Sequence, residues 1–254
     1  MTDAQQPAPA ANPGLPLFYK QPVPLEPQRH AGAGLKPRSD YAFARNTNAV
    51  PLVVSEFSAA ARHYPIVFSA TSPVVPFAVV GVRDNENLFV DKDGRWSEDL
   101  YVPAYVRRYP FILTPIPNSD QLALCVDEAA EHFEKPSTQP FFVDGKPSEN
   151  LQRALKFNQE FHGQVDLTRM FGEWLDQNGM LEERVANAQM PNGQTYTLQG
   201  FRLVNSEKLN AMDDAQVLDL HKKGWLPLFH FHYQSLQNWN SLSRLVQQQT
   251  QAAA

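Results

Sequence analysis

This 254-residue chain is poor in the residues and patterns that mark the commonest chemistries. It has one cysteine, Cys125, so no intramolecular disulfide can form, and cysteine this scarce fits a reducing compartment. Cys125 sits in the apolar run Leu122-Ala-Leu-Cys-Val126, where a free thiol acts as a small hydrophobe rather than a nucleophile. Gly81, Gly94, Gly145 and Gly200 stand alone, which excludes a dinucleotide fingerprint and a phosphate loop. There is no Gly-x-Ser-x-Gly elbow either. No window approaches the ~20 apolar residues of a membrane helix. The opening MTDAQQPAPAANPGLPLFY lacks the basic start and apolar stretch of a secretory signal. A soluble, cytoplasmic protein is therefore expected. With 22 basic and 27 acidic residues, a net charge of −5 and no run of five like charges, a general attraction to nucleic acid or anionic membrane is excluded.

What the chain does have is the makings of a core. A hydrophobic content of 43%, with 11% aromatics, is that of a globular protein. Residues 1–14 are rich in Pro, Ala and Gln and are read as a flexible tail, as are residues 248–254. Residues 15–247 are taken as one domain because no linker-like stretch divides them, although the length also suits two smaller units.

The two halves differ in pattern. In the first, Pro alternates with short β-branched and aromatic runs at 49–54, 64–68, 77–82, 87–90, 111–116 and 122–126, all strand signals. One helix, from Ser55 to His63, interrupts them. In the second half, Pro147-Ser148-Glu149 opens a long helical pattern that stops at Asn178-Gly179. Gly163 and a shift of the apolar stripe near Asp166 predict a kink or two helices. A hairpin follows, with Leu181–Met190 and Thr195–Val204 flanking Pro191-Asn192-Gly193. Asp213 or Asp214 then caps a helix closed at Gly224, and a last helix starts near Pro227. The fold class is α+β: a mainly antiparallel β N-terminal half packed with a helical C-terminal half that contains one β-hairpin.

The richest stretch is Arg95–Phe111, RWSEDLYVPAYVRRYPF, with five aromatics and three arginines. Such side chains anchor binding surfaces, but aromatics also fill cores. A short helix from Pro103 to Arg108, ended by Pro110, turns Trp96, Tyr101 and Tyr105 inward. Arg107 and Arg108 are then left to meet the helix C-terminus or to clamp a carboxylate or phosphate. His230 and His232 share a face only on a strand. The three-four spacing of Trp225, Leu228 or Phe229, His232, Leu236, Trp239, Leu242 and Val246 predicts a helix instead, with His232 packed and His230 turned outward or lining a groove. The adjacent acidic pairs Glu98-Asp99, Glu182-Glu183 and Asp213-Asp214 read as turn and first-turn charges. Asp91-Lys-Asp-Gly94 is too short for a calcium loop.

The ordered motifs WLDQNGMLEE, MPNGQTYTLQGFRLVN and SEKLNAMDDAQVLDLHKKGWLPLFHFHYQSLQNW, with LYVPAYVRRYPF upstream, resemble the SapC family of bacterial proteins. The resemblance spans about Leu17 to Leu245 and does not concern the like-named peptide-transporter permease. It implies a SapC-like domain and, through the family's name, a link to the bacterial surface layer or cell envelope. It carries over no catalytic residue.

The expected function is a non-enzymatic accessory or binding protein. Its partner would be a protein or a small cell-envelope component, with no nucleic acid and no membrane insertion. Trp96, Tyr101, Tyr105, Arg107, Arg108 and His232 are the candidate ligand-binding residues. No cofactor or metal is expected. The alternative is an enzyme whose site is assembled from dispersed residues (His63, His132 or His232 with tyrosines and arginines), with or without a metal.

Overall fold

The computed structural model describes residues 14–37, 40–189 and 195–252. The tail expected over 1–14 falls, but for Gly14, outside the described residues, as do the Pro191-Asn192-Gly193 turn and the last two residues. The protein is α+β, with antiparallel sheets dominating the first half and helices the second. The helices are α1 (Phe57–Ala60), α2 (Ala104–Arg107), α3 (Glu149–Gln177), α4 (Ser206–Asn210), α5 (Asp214–Lys222), α6 (Leu226–Ser235) and α7 (Trp239–Ala252).

Local chemistry sets most of these boundaries. The Ser148 hydroxyl accepts from the Leu151 N–H at 3.4 Å at the start of α3. At its end Gly179 takes φ 57° and the Met180 N–H returns to the Leu175 carbonyl at 2.9 Å, the left-handed closure that glycine permits. Asp213 and Gln216 cap α5 reciprocally at 2.8 and 3.1 Å, and Pro227 lies in the first turn of α6.

Four expectations change. The last helix, expected to run on from Pro227 past Trp239, is interrupted by the 3-10 turn Leu236–Asn238 and becomes α6 and α7. The helix α3 runs unbroken for 29 residues where a kink or a pair was expected. Gly163 there faces open space, and one glycine costs only ~1 kcal/mol against so long a ladder. The helix over 55–63 shrinks to a 3-10 turn, Val54–Glu56, and the single turn of α1, because the chain must turn off ahead of Pro65. Residues 87–90 form no strand, only an isolated bridge between Val90 and Trp96. The Asn87 side chain takes the backbone bonds instead, donating to the Ala44 carbonyl at 3.0 Å and accepting from the Phe89 N–H at 3.0 Å.

The chain forms two compact units. The larger, residues 41–104 and 164–252 of the described chain, is built on a five-stranded antiparallel sheet. Its strand order is Leu181–Gln189, Thr195–Val204, Ile66–Ser69, Pro76–Val79, Ala49–Pro51. The hairpin is bulged between Arg184 and Ala186. α6 packs on Ile66–Ser69, α1 and α5. Phe57, Phe68, Phe171 and Phe229 interlock there at centroid distances of 5.6–6.5 Å, tilted or edge-on.

The smaller unit takes in residues 14–40 and 105–163. Its three-stranded sheet has the order Pro22–Pro24, Leu122–Asp127, Phe111–Pro115, all antiparallel. Two two-stranded ribbons join it, Gly34–Leu35 with Phe133–Glu134 and Phe142–Val143 with Lys146–Pro147. Ala33, Phe111, Val126, Phe141 and Leu151 form its core.

Candidate functional site

The arginine-aromatic block separates into two constellations, one in each unit. In the smaller unit, α2 is a single turn, so Tyr105 and Arg108, three residues apart, fall on one side. The Arg108 guanidinium carbon lies 4.3 Å from the Tyr105 ring centroid, 4.6 Å from Phe161 and 5.8 Å from Tyr19. A cation over aromatic faces is held by their quadrupoles, by ~0.5–2 kcal/mol each according to desolvation. Tyr105 is buried and Arg108 half-buried.

The hydroxyls of this cradle are spent on the backbone and on one carboxylate. Tyr19 donates to the Phe111 carbonyl at 2.6 Å, Tyr105 to the Leu17 carbonyl at 3.2 Å, and Tyr109 to Asp127 at 3.2 Å. Burial raises the pKa of Tyr19 and of Tyr105, with Arg108 pulling the other way, so all stay neutral donors near pH 7. Asp127, fully buried, also accepts from the N–H groups of Lys20, Gln21 and Ala129 at 2.8–3.1 Å. That carboxylate pins the N-terminal segment under the cradle. Phe18, at φ 77°, holds a left-handed conformation uncommon for a bulky residue and sets its ring 5.8 Å from Tyr105 and 6.3 Å from Tyr109.

Arg108 also hydrogen-bonds the Tyr105 side chain, but its polar capacity is only partly used. Among the described residues it makes no ion pair with a carboxylate, and its buried Nε has no acceptor. Asn158 lies one helical turn before Phe161 in α3. It is 2% exposed and donates to the Ala154 carbonyl at 2.9 Å, while its Oδ1 has no donor. Buried polar atoms rarely go unpaired. An orphan donor on Arg108 and an orphan acceptor on Asn158 are thus among the unpaired buried atoms of this unit, with His30 Nε2. A guanidinium stacked on three rings can present its remaining N–H groups to a carboxylate or phosphate in a fixed orientation. Arg107 is exposed, its guanidinium 5.2 Å over the Phe157 ring.

The other constellation, in the larger unit, is structural in its contacts. Trp96 is 6% exposed and its Nε1 donates to the Tyr64 hydroxyl at 2.9 Å. Tyr64 donates to the Tyr101 carbonyl at 2.5 Å. The Tyr101 hydroxyl donates at 2.8 Å to Glu56, a buried carboxylate that also accepts from the N–H groups of Val53 and Ala104 at 2.9 and 2.6 Å. Trp96 and Tyr101 are thus brought together, and Tyr105, Arg107 and Arg108 are grouped in the other unit.

His232 stands apart from both groups. On α6 it is fully buried while His230 is exposed, in line with the helical reading. Its Nε2 accepts from the Val204 N–H at 3.2 Å, which leaves the proton on Nδ1. Burial lowers its pKa to about 4. His63 is half-buried in the larger unit, and His132 lies 5.6 Å edge-on to Tyr109 in the smaller. Among the described residues no group of three His, Cys, Asp or Glu is placed to hold a metal. Cys125 is 2% exposed, 3.1 Å from the Thr114 hydroxyl, and burial raises its pKa.

Sequence reasoning missed Tyr19, Phe161, Asn158 and Glu56. Nothing in the local patterns of Tyr19, Phe161 and Glu56 marked them for a site, since each is defined by a partner far along the chain. Asn158 alone carried a signal: an amide interrupting the apolar side of a helix.

These contacts define an α+β protein with an aromatic-held arginine in its smaller unit. The SapC family model matches residues 25–242, a span that includes Tyr105, Arg108 and Phe161 but not Tyr19. The chain belongs to the SapC family. No curated protein and no solved structure matches it. Among the described residues no helix is long and apolar enough to cross a membrane.

Proposed function

We propose that this SapC-family protein is an accessory binding protein rather than an enzyme, acting from the cytoplasm on a protein or small cell-envelope component that carries a carboxylate or phosphate. The family's name supplies the link to the surface layer and envelope. One observation carries the chemistry: Arg108 is fixed over Tyr105 and Phe161 with no carboxylate of its own among the described residues. A guanidinium oriented in advance loses little entropy on pairing with an oxyanion. Its aromatic surroundings also favour an anion that can shed water.

The Arg108 Nε–H resonance of the full chain tests the reading during titration with acetate and with inorganic phosphate. A saturable shift with either anion, absent with chloride and absent for Arg108→Met, is expected. An Nε–H unmoved by both anions would overturn it. Stoichiometric zinc or iron in untagged protein, lost on replacing His63, His132 or His232, would favour the enzymatic alternative.

A further inference from the structure

The larger unit holds a second cationic feature, independent of Arg108. After α1 the chain turns back through Arg62 and His63, with the His63 N–H on the Ala60 carbonyl at 2.9 Å. The Asn238 amide donates to the Ala61 carbonyl at 2.8 Å, tying this turn to the start of α7. A groove of 370 Å³ opens there. Its floor is Phe89, Leu100 and Leu245, and its rim carries Arg62, His63 and Arg244, of which the two arginines are charged.

Three features argue against an ordinary patch of surface arginines. Ser241, Arg244, Leu245 and Gln248 all line the groove. They recur at i, i+3, i+4 and i+7, so one continuous stripe of α7 faces it, while Leu242 and Val246 are fully buried. Among the described residues no aspartate or glutamate lines it. Among the described residues Arg62 makes no ion pair, and Arg244 donates only to the Ser241 hydroxyl, at 3.1 Å. The floor is also rigid: Phe89 meets Tyr64 edge-on at 4.9 Å, and Tyr64 is held by Trp96 and the Tyr101 carbonyl. A preformed concavity with an apolar base and a few convergent polar groups is the common form of a small-molecule site.

We propose that this groove binds an anionic amphiphile, an acid headgroup on a short apolar chain, with Arg62 and Arg244 on the headgroup and Phe89, Leu100 and Leu245 along the chain. Burial and the charge of Arg62 hold the His63 pKa below its usual value, so at neutral pH His63 offers a hydrogen bond rather than a third charge. A fatty carboxylate and an alkyl phosphate share the chemistry required.

Calorimetric titration of the full chain, below micelle-forming concentrations, separates the sources by using octanoate, octyl phosphate, octanol and inorganic phosphate. Saturable binding of octanoate or octyl phosphate is expected, at least about tenfold tighter than octanol or inorganic phosphate. The better acid names the headgroup. The Arg62→Gln/Arg244→Gln double variant should bind that acid about tenfold or more weakly with an unchanged Tm, since both side chains are exposed. Arg108→Met should keep this binding phase, losing only the separate acid binding of the smaller unit. Equal binding by octanol, undiminished binding by the double variant, or no saturation with either acid would overturn the proposal.

Discussion

The Arg108 guanidinium rests 4.3 Å over the ring of Tyr105, and this stack makes the arginine a fixed feature of the smaller unit. Its removal should then cost stability as well as binding. Arg108→Ala loses the cation–π contacts and the apolar stem, a loss of ~1–3 kcal/mol. Arg108→Met keeps the stem and should cost less, about 1 kcal/mol or below. Urea denaturation of the two variants distinguishes them, and equal losses would contradict the stacking account.

Glu56 and Tyr101 define a second test. Tyr101→Phe removes one donor to a buried carboxylate that retains two backbone N–H partners, and should cost ~1–2 kcal/mol. Glu56→Ala strands all three donors and should cost more, about 3 kcal/mol or above. A Glu56→Ala protein as stable as Tyr101→Phe would show that the carboxylate is not the organising acceptor.

His232 makes stability depend on acid. Its folded pKa of about 4 lies below the ordinary value of 6.5, because burial opposes the charge. The unfolded chain therefore binds a proton between those limits that the folded chain refuses. Stability is unaffected by His232 above pH 6.5, falls as pH drops toward 4, and loses no more below that. The total is on the order of 3 kcal/mol. In His232→Gln, whose amide oxygen can accept from the Val204 N–H, this part of the acid loss should vanish. Denaturation midpoints at pH 7.5 and 4.5 check it.

Asp127 should decide whether the N-terminal segment stays in place. Asp127→Asn puts an amide N–H₂ among four donors, at ~1–3 kcal/mol. Hydrogen exchange at Lys20 and Gln21, whose N–H groups it accepts, should quicken well beyond the change seen in the larger unit. Uniform quickening would point to global destabilisation instead.

The sequence was most legible where the chain signals to itself. Ser148, Gly179, Asp213 (one of the two caps the pattern offered) and Pro227 place helix ends by bonds or dihedral preferences that span a few residues, and each was found where the pattern put it. His232 was readable for the same reason, since helical periodicity alone separates it from His230. The candidate site was visible only as residue types. Tyr19 bonds to Phe111 over 92 positions and Tyr101 to Glu56 over 45, and no local period encodes such pairs. Arg107 and Arg108 looked equivalent in sequence. One turn of helix sends the first outward over Phe157 and the second among Tyr19, Tyr105 and Phe161.

The most direct test of the central claim is quantitative native co-purification of the parent and of Arg108→Met from cells of the source organism, with Tm measured on both. The account predicts near-equal Tm values and at least one partner or envelope component that the parent retains, that acetate or phosphate displaces, and that Arg108→Met loses. The same components retained by both proteins, at equal yield and indifferent to either anion, would contradict it.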